Sequence, residues 1–232
     1  IGGEGHDSVQ AVLDARAVST RGSAGRAGEC RAGRRAEVVD TALATDPAAI
    51  ERAVRDEPVG TTWPWNSGPK AIEAFLHRVV DAMNGMRELC VVEAEFGHYG
   101  SGYASFVDVF LTKRDGSLRE TFADGWTRFT GWTLALCRLA PFAVLFGNSR
   151  VWYGPRPGTR SSSIPHRDRL PEDTVPASRT ELWELAELLE GYGFAFLDPE
   201  ILMLPIDPTL EIDTTLGERP YRVWDAWFHW AD

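Results

Sequence analysis

ELCVVEAEFGHYGSGYASFVDVFLTKRDGSLRETFA, residues 88–123, contains three segments rich in Val, Phe and Tyr that are separated by turn residues. The segments are residues 88–96, 103–111 and 118–123. Aromatic and β-branched residues favour strands. Lys113-Arg114-Asp115-Gly116 is typical of a hairpin turn, and a glycine-rich turn separates the first two segments. The stretch therefore predicts a three-stranded antiparallel β-meander.

Side chains alternate between the two faces of a strand, so the meander can be sorted into faces. The first predicted face is apolar: Cys90, Val92, Ala94, Phe96, Val107, Val109 and Leu111. The second predicted face mixes two aromatic side chains with three carboxylates: Glu93, Glu95, Phe106, Asp108 and Phe110. We expect a helix to cover the first face.

The second face has three interpretations. It is a solvated sheet surface, a site for a protein partner with Phe106 and Phe110 as its apolar centre, or a group of carboxylates for acid–base catalysis or a divalent ion. Clustered carboxylates repel one another and need water, a cation or a basic partner nearby. The functional hypothesis is a partner-binding face formed by Glu93, Glu95, Phe106, Asp108 and Phe110.

The rest of the chain adds helices and further strands. Apolar residues at helical spacing predict helices over residues 46–56, 69–83 and 178–190. We also expect a helix over residues 129–139, a strand pair at 142–146 and 150–153 that turns at Gly147-Asn148, and terminal aromatics that dock into the core. The predicted fold class is α+β, with an antiparallel β-meander packed against helices in a single domain.

The predicted domain spans residues 36–232, because residues 1–35 have the composition of a disordered tail. Residues 18–35, VSTRGSAGRAGECRAGRR, are rich in Gly, Ala and Arg and contain one large apolar residue, Val18. Such a segment cannot bury enough apolar surface to offset the entropy lost on ordering.

The charge balance indicates the kind of partner. The formal net charge is −10, and residues 1–36 contain six Arg against four acidic residues, which leaves 18 basic and 30 acidic residues after them. An acidic domain attracts basic proteins and is poorly suited to a phosphate backbone. We expect a basic protein partner, no nucleic acid and no membrane, because no segment reaches the ~18 apolar residues of a spanning helix.

The sequence contains no signature of an enzyme, a cofactor site or a metal site. His166-Arg167-Asp168 matches a kinase tripeptide but lacks the other kinase motifs, and the five histidines are scattered. Cys30, Cys90 and Cys137 are odd in number and widely spaced, which favours a reducing cytoplasm over a disulfide framework. We expect no cofactor and no metal ion.

Several segments of residues 70–232 resemble a family of uncharacterised bacterial cytoplasmic proteins. The resemblance includes the meander with its Asp-Gly turn, WTLALCRLAPFAVLF at 132–146, LEGYGF at 189–194 and YRVWDAWFHWAD at 221–232. The family ends in a Phe-Asp-x-Leu-Phe-Tyr-Trp-Glu-Asp-type tail, where this chain has Trp230-Ala231-Asp232 and His229 in place of Tyr. In size and acidity the chain is similar to immunity proteins of bacterial toxin systems.

The leading hypothesis is a non-enzymatic protein-binding module, an immunity-type inhibitor of a basic bacterial toxin. The alternative is a small hydrolase or metal-dependent enzyme that uses Glu93, Glu95 and Asp108 with His98. A third hypothesis is a structural subunit that self-associates through its terminal aromatic residues.

Overall fold

A computed structural model describes residues 41–100, 102–156, 158–170 and 180–232, so the predicted tail at residues 1–35 lies outside the described part. The α-helices are α1 (Pro47–Ala53), α2 (Pro69–Met83), α3 (Trp183–Gly191), α4 (Pro199–Leu202) and α5 (Val223–Trp227). The strands are β1 (Leu89–Glu95), β2 (Tyr103–Ala104), β3 (Phe106–Lys113), β4 (Arg119–Thr121), β5 (Thr127–Cys137), β6 (Phe142–Tyr153), β7 (Arg160–Ser162), β8 (Ala195–Phe196) and β9 (Trp230–Ala231). Short 3₁₀ turns lie at Thr41–Thr45, His98–Gly100, Arg167–Arg169 and Thr180–Leu182.

Seven strands form one curled sheet. The order is β1-β3-β5-β6-β7, with β4 added beside β5 and β8 beside β6. All of these pairs are antiparallel except the short parallel pair between β6 and β8. A second, two-stranded sheet joins β2 to β9. The predicted α+β class, with an antiparallel sheet packed against helices, is confirmed.

Strand β5 is the centre of the sheet, and the helix predicted over residues 129–139 was wrong. β5 pairs with β3 on one side and with β6 on the other, and residues 131–140 are all buried. A strand that is buried on both faces has no alternation of apolar and polar residues. An apolar run of this length cannot be distinguished from a buried helix by its periodicity.

The predicted pairing of the third meander segment was also wrong. β1 pairs with β3 as expected, and the turn after Lys113 is present. β4 pairs with residues 127–129 of β5 rather than with β3, because the longer β5 takes the place beside β3.

Strand β6 is one continuous element and not the predicted strand pair. Its pairing with β5 shifts register at Gly147 and Asn148, where Asn148 has a φ of 52°. The two residues that indicated a turn therefore form an irregularity inside the strand, since Asn tolerates the left-handed region.

Apolar layers cover both faces of the sheet. α2 and α3 pack on one face against Val107, Leu134 and Leu145. The opposite face packs against α1 and α5. The aromatic side chains of α5 and the residue after it fill this second layer, which confirms that the terminal aromatics dock into the core: Trp224, Trp227 and Phe228.

The predicted faces of the meander are correct for β3 but not for all of β1. Val107, Val109 and Leu111 face α2 as expected, and so do Ala94 and Phe96. The pairing shifts at Val92, between Val91 and Glu93. Because of this shift, Val92 packs on the opposite face with Phe110, and Cys90, paired with Thr112, also lies on that face.

Among the described residues, no helix has the length and apolarity needed to cross a membrane.

Gly131 is required where β5 passes closest to β3. A Cβ atom at this position would lie 1.9 Å from the carbonyl oxygen of Leu111. We expect Gly131→Ala to lower the free energy of unfolding by roughly 1–3 kcal/mol, because the strands must separate to admit the methyl group. The measurement is denaturant unfolding of the variant and the wild type.

Gly191→Ala is the matched control, because a Cβ atom added at Gly191 would meet no described atom within 4 Å apart from its chain neighbours and the backbone of its own helix. Gly191 lies at the end of α3, and the free energy of unfolding of this variant should stay the same or rise by up to about 1 kcal/mol. Equal stability of the two variants would contradict a close approach at Gly131.

The aromatic side chain of Trp227 stabilises the layer formed by α1 and α5. It is 0% exposed, its Nε1 donates to the carbonyl of Ala44 at 3.0 Å, and its ring packs edge-on against Phe142. Trp227→Ala should cost roughly 3–5 kcal/mol of unfolding free energy. Trp183→Ala, at a side chain that is 61% exposed, should change it by less than about 0.5 kcal/mol. A loss below about 1 kcal/mol for Trp227→Ala would show that the layer does not depend on this ring.

Candidate functional site

The five residues predicted as a partner-binding face lie on one face of the sheet. In the β1–β3 pair, Glu93 is opposite Phe110 and Glu95 is opposite Asp108. Phe106 follows on the same side of β3, two residues from Asp108. The structure therefore brings the five side chains together as the alternation predicted.

The two phenylalanines of this face are buried inside the protein. Phe106 is 1% exposed and packs with Phe228, the residue after α5, whereas Phe110 is 3% exposed and packs with Phe129 and Val151. The expected apolar centre is therefore not on the surface, because α5 and the curled strands cover this face. A partner-binding role for the carboxylates stays a prediction.

Glu93 has its partners within the chain. Its Oε2 lies 2.7 Å from Nε of Arg160 and accepts a hydrogen bond from the hydroxyl of Tyr153 at 3.1 Å. Burial raises the pKa of Glu93, although Arg160 and Tyr153 oppose the rise. The carboxylate is thus held by a short ion pair and one hydroxyl group.

Asp108 is the most buried of the three carboxylates. Its Oδ2 accepts a hydrogen bond from the hydroxyl of Tyr99 at 3.2 Å. Burial raises the pKa of Asp108 to about 7, while Tyr99 and Arg160 act to lower it. The group therefore exchanges its proton near neutral pH.

Glu95 orders the loop that follows β1. Its Oε1 accepts a hydrogen bond from the backbone N–H of Gly97 at 2.6 Å and from that of Tyr99 at 3.4 Å. These bonds close a turn in which His98 and Tyr99 have positive φ angles of 54° and 58°. The turn places the Tyr99 hydroxyl at Asp108.

A small cavity of about 10 Å³ lies beside Asp108 and is also lined by Thr133, Ser149 and Arg160. The buried hydroxyl of Ser149 has no hydrogen-bond partner among the described residues. A cavity of this size holds about one water molecule. The polar groups can therefore bind a water between the two apolar parts of this face, but the space does not admit a substrate.

The geometry does not favour the predicted enzyme alternative at these carboxylates. Glu93 and Glu95 do not line the cavity beside Asp108, and His98 lies in a different pocket. In the described part of the chain, no three His, Cys, Asp or Glu side chains are placed to bind one metal ion.

A second acidic region lies elsewhere, in a segment that no sequence motif indicated. Residues 180–218 contain ten Asp and Glu and no Lys or Arg. Three of the acidic residues form ion pairs: Glu181 with Lys113, Glu184 with Arg87, and Glu211 with Arg219. The signal that could have identified this segment is the run of 39 residues without a basic side chain.

Helix α3 presents one side of this segment to solvent. Leu185 and Leu189 face the core. Trp183, Glu187 and Glu190 are exposed, and their spacing of four and then three residues aligns them along one stripe of the helix. Neither Glu187 nor Glu190 forms an ion pair with a described residue. We call these three residues the α3 stripe.

The raised pKa of Asp108 links stability to pH. Its folded-state pKa is about 7, above the ordinary value of about 3.8, so the folded protein binds this proton more tightly than the unfolded chain. The stabilisation from the neutral acid is full below about pH 4 and is lost as the pH rises to about 7. Asp108→Asn should therefore be more stable than the wild type above pH 7, by roughly 1–4 kcal/mol.

Denaturant unfolding of both proteins between about pH 4 and pH 8 measures this difference, which should grow with pH. Asp81→Asn, at an exposed position of α2, is the control and should follow the wild type throughout. If the difference in unfolding free energy between Asp108→Asn and the wild type does not change with pH, the raised pKa of Asp108 is contradicted.

Comparisons with known proteins do not assign the chain to a family. No family model, no curated protein and no solved structure matches it. The resemblance to bacterial proteins with an aromatic tail therefore stays a prediction.

Proposed function

We propose that the chain is a non-enzymatic binding protein that captures a basic protein partner through the α3 stripe. The observation that carries this proposal is the stripe itself, a 61% exposed tryptophan aligned with two carboxylates that form no ion pair with a described residue, in a segment without basic side chains. The other candidate face, Glu93 to Phe110, contributes buried phenylalanines and a paired carboxylate, so it supports the proposal less.

The chemistry of the stripe suits lysine and arginine. Trp183 offers a ring face to a cation, and Glu187 and Glu190 offer acceptors within two turns of the same helix. The net charge of −10 attracts a basic protein over a longer range and speeds its association. Tryptophan and arginine are also the side chains that contribute most at protein interfaces.

The helix provides a rigid support for such contacts. Leu182, Leu185 and Leu189 anchor α3 in the core against α2. On the other side, Glu184 accepts a hydrogen bond from the backbone N–H of Arg87 at 2.8 Å. A partner that binds the stripe therefore loses little affinity to ordering of the helix.

An immunity-type role is the specific form of this proposal. Its support is the similarity in size and acidity to inhibitors that mask basic toxins, together with the stripe on α3. Fast electrostatic capture, and a tryptophan that becomes buried when the partner binds, suit an inhibitor that must act before its target does.

The test uses immobilised protein and an extract of the cells that produce it. The wild type should retain a basic protein at low salt and release it at about 1 M salt, where charges are screened beyond about 3 Å. Glu187→Lys/Glu190→Lys and Trp183→Ala should each weaken the affinity for the purified partner by about tenfold or more.

Glu51→Lys is the matched control, because Glu51 is exposed on α1 and has no ion pair with a described residue. It should bind the partner as the wild type does. The proposal fails if no basic protein is retained, or if the Lys variants of the stripe bind as tightly as the control.

A further inference from the structure

A second pocket lies between the end of α1, the first turn of α2, the loop after β1 and the end of β5. Its volume is about 330 Å³, at the lower end of the ~300–1,000 Å³ of small-molecule sites. Six of its lining residues carry polar side chains: Asp56, Lys70, Glu73, His98, Tyr103 and Arg138. We call it the Arg138 pocket; it is separate from the α3 stripe.

Arg138 forms the fixed base of the pocket. Its side chain is 8% exposed and forms an ion pair with Glu73. The guanidinium also donates to the carbonyls of Phe106 at 3.3 Å and of Phe96 at 3.1 Å. A buried arginine held by three acceptors keeps its position when a ligand enters or leaves.

The second carboxylate of the pocket, Asp56, also has a partner. Its Oδ1 accepts a hydrogen bond from Nε2 of His229 at 2.7 Å, and His229 is buried. Asp56 has a φ of 59°, and His98 across the pocket has a φ of 54°. Left-handed backbone is uncommon outside glycine and concentrates at functional sites.

The polar groups of the pocket that have no partner among the described residues are mostly donors. Nδ1 of His98 accepts the N–H of Ala104 at 2.9 Å, so the proton of the neutral ring lies on Nε2. Burial and the charge of Arg138 lower the pKa of His98, which keeps the ring neutral. Burial, helped by Asp56, raises the pKa of Tyr103, so its hydroxyl stays protonated.

Lys70 adds an ammonium group to the lining of the pocket. Its ammonium group forms no ion pair with a described residue, whereas Glu73 and Asp56 are each bound by a basic side chain. The formal charges of the lining cancel, because Lys70 and Arg138 are matched by Asp56 and Glu73. The groups that remain available to an occupant are one cation and two neutral donors: Lys70, the Nε2–H of His98 and the hydroxyl of Tyr103.

The rest of the lining is apolar. Pro58, Pro69, Ile72 and Leu139 form apolar walls that accommodate a hydrocarbon group. An occupant must match both parts, with an anionic acceptor at one end and an apolar body at the other.

We propose that the Arg138 pocket binds a small organic carboxylate, an aliphatic or aromatic acid. Its carboxylate accepts hydrogen bonds from Lys70, His98 and Tyr103, and its apolar part packs against Ile72 and Leu139. The site does not depend on the α3 stripe, so the two proposals can fail independently.

The binding test compares ligands of the same shape and different charge by isothermal titration calorimetry. Hexanoate and benzoate should bind saturably, whereas hexanol, benzyl alcohol and inorganic phosphate should bind at least about tenfold more weakly. Lys70→Met should weaken benzoate binding by about tenfold, and Tyr103→Phe by roughly fivefold. Each variant is first shown to unfold at the same denaturant concentration as the wild type.

The chain contains two lysines, Lys70 and Lys113, which provide an internal control. Lys113 does not line the pocket and pairs with Glu181 at 3.7 Å. Lys113→Met should bind benzoate as the wild type does. In addition, benzoate should slow the acetylation of Lys70 by N-hydroxysuccinimidyl acetate, measured by peptide mass spectrometry, and leave that of Lys113 unchanged.

Three results would overturn the proposal. Equal binding of benzyl alcohol and benzoate would indicate an apolar cavity without recognition of charge. Equal binding of phosphate would indicate a general anion site at Lys70. Unchanged binding of benzoate by Lys70→Met would show that the ammonium group of Lys70 does not contact the carboxylate.

Discussion

The long antiparallel pair of β5 and β6 needs apolar cover on both faces, and the rest of the structure follows from that need. Both strands are buried through most of their length, and they hold together β3, β4, β7 and β8. One face is covered by two amphipathic helices and the other by α1 and α5. Covering both faces of a sheet is the usual requirement of a buried strand without alternation.

The sequence was sufficient where an exposed face or flanking turn residues mark an element, and it failed where a long buried run lacks both signals. α2 has an exposed side and was predicted within its observed bounds, and β3, although buried on both faces, was marked by the hairpin turn that follows Lys113. β5 lacks an exposed face, so its apolar run resembled a helix. The shift at Val92 and the irregularity at Gly147 depend on pairing with another strand, which a local pattern does not encode.

The candidate sites also divide into features that a local sequence pattern indicates and features that only the packing of distant segments determines. Alternation placed Glu93, Glu95, Phe106, Asp108 and Phe110 on one face, but only the packing of distant segments determined that this face is covered. The six polar residues of the Arg138 pocket come from four separate segments, so no spacing in the sequence could have identified them. The α3 stripe, in contrast, is local, and a count of charges along the chain would have found it.

The layer that contains α1 and α5 joins residues that are far apart in the chain. The hydrogen bond from Trp227 to Ala44 spans 183 residues, and that from Ser105 to the carbonyl of Trp227 spans 122. Contacts between distant residues form late in folding, because a long loop must close first. We therefore expect Phe142, Val144 and Phe146, which belong to this layer, to stay exposed until residues 223–228 dock. Exposed apolar surface favours aggregation, so we expect the yield of folded protein to depend on how fast residues 223–228 dock.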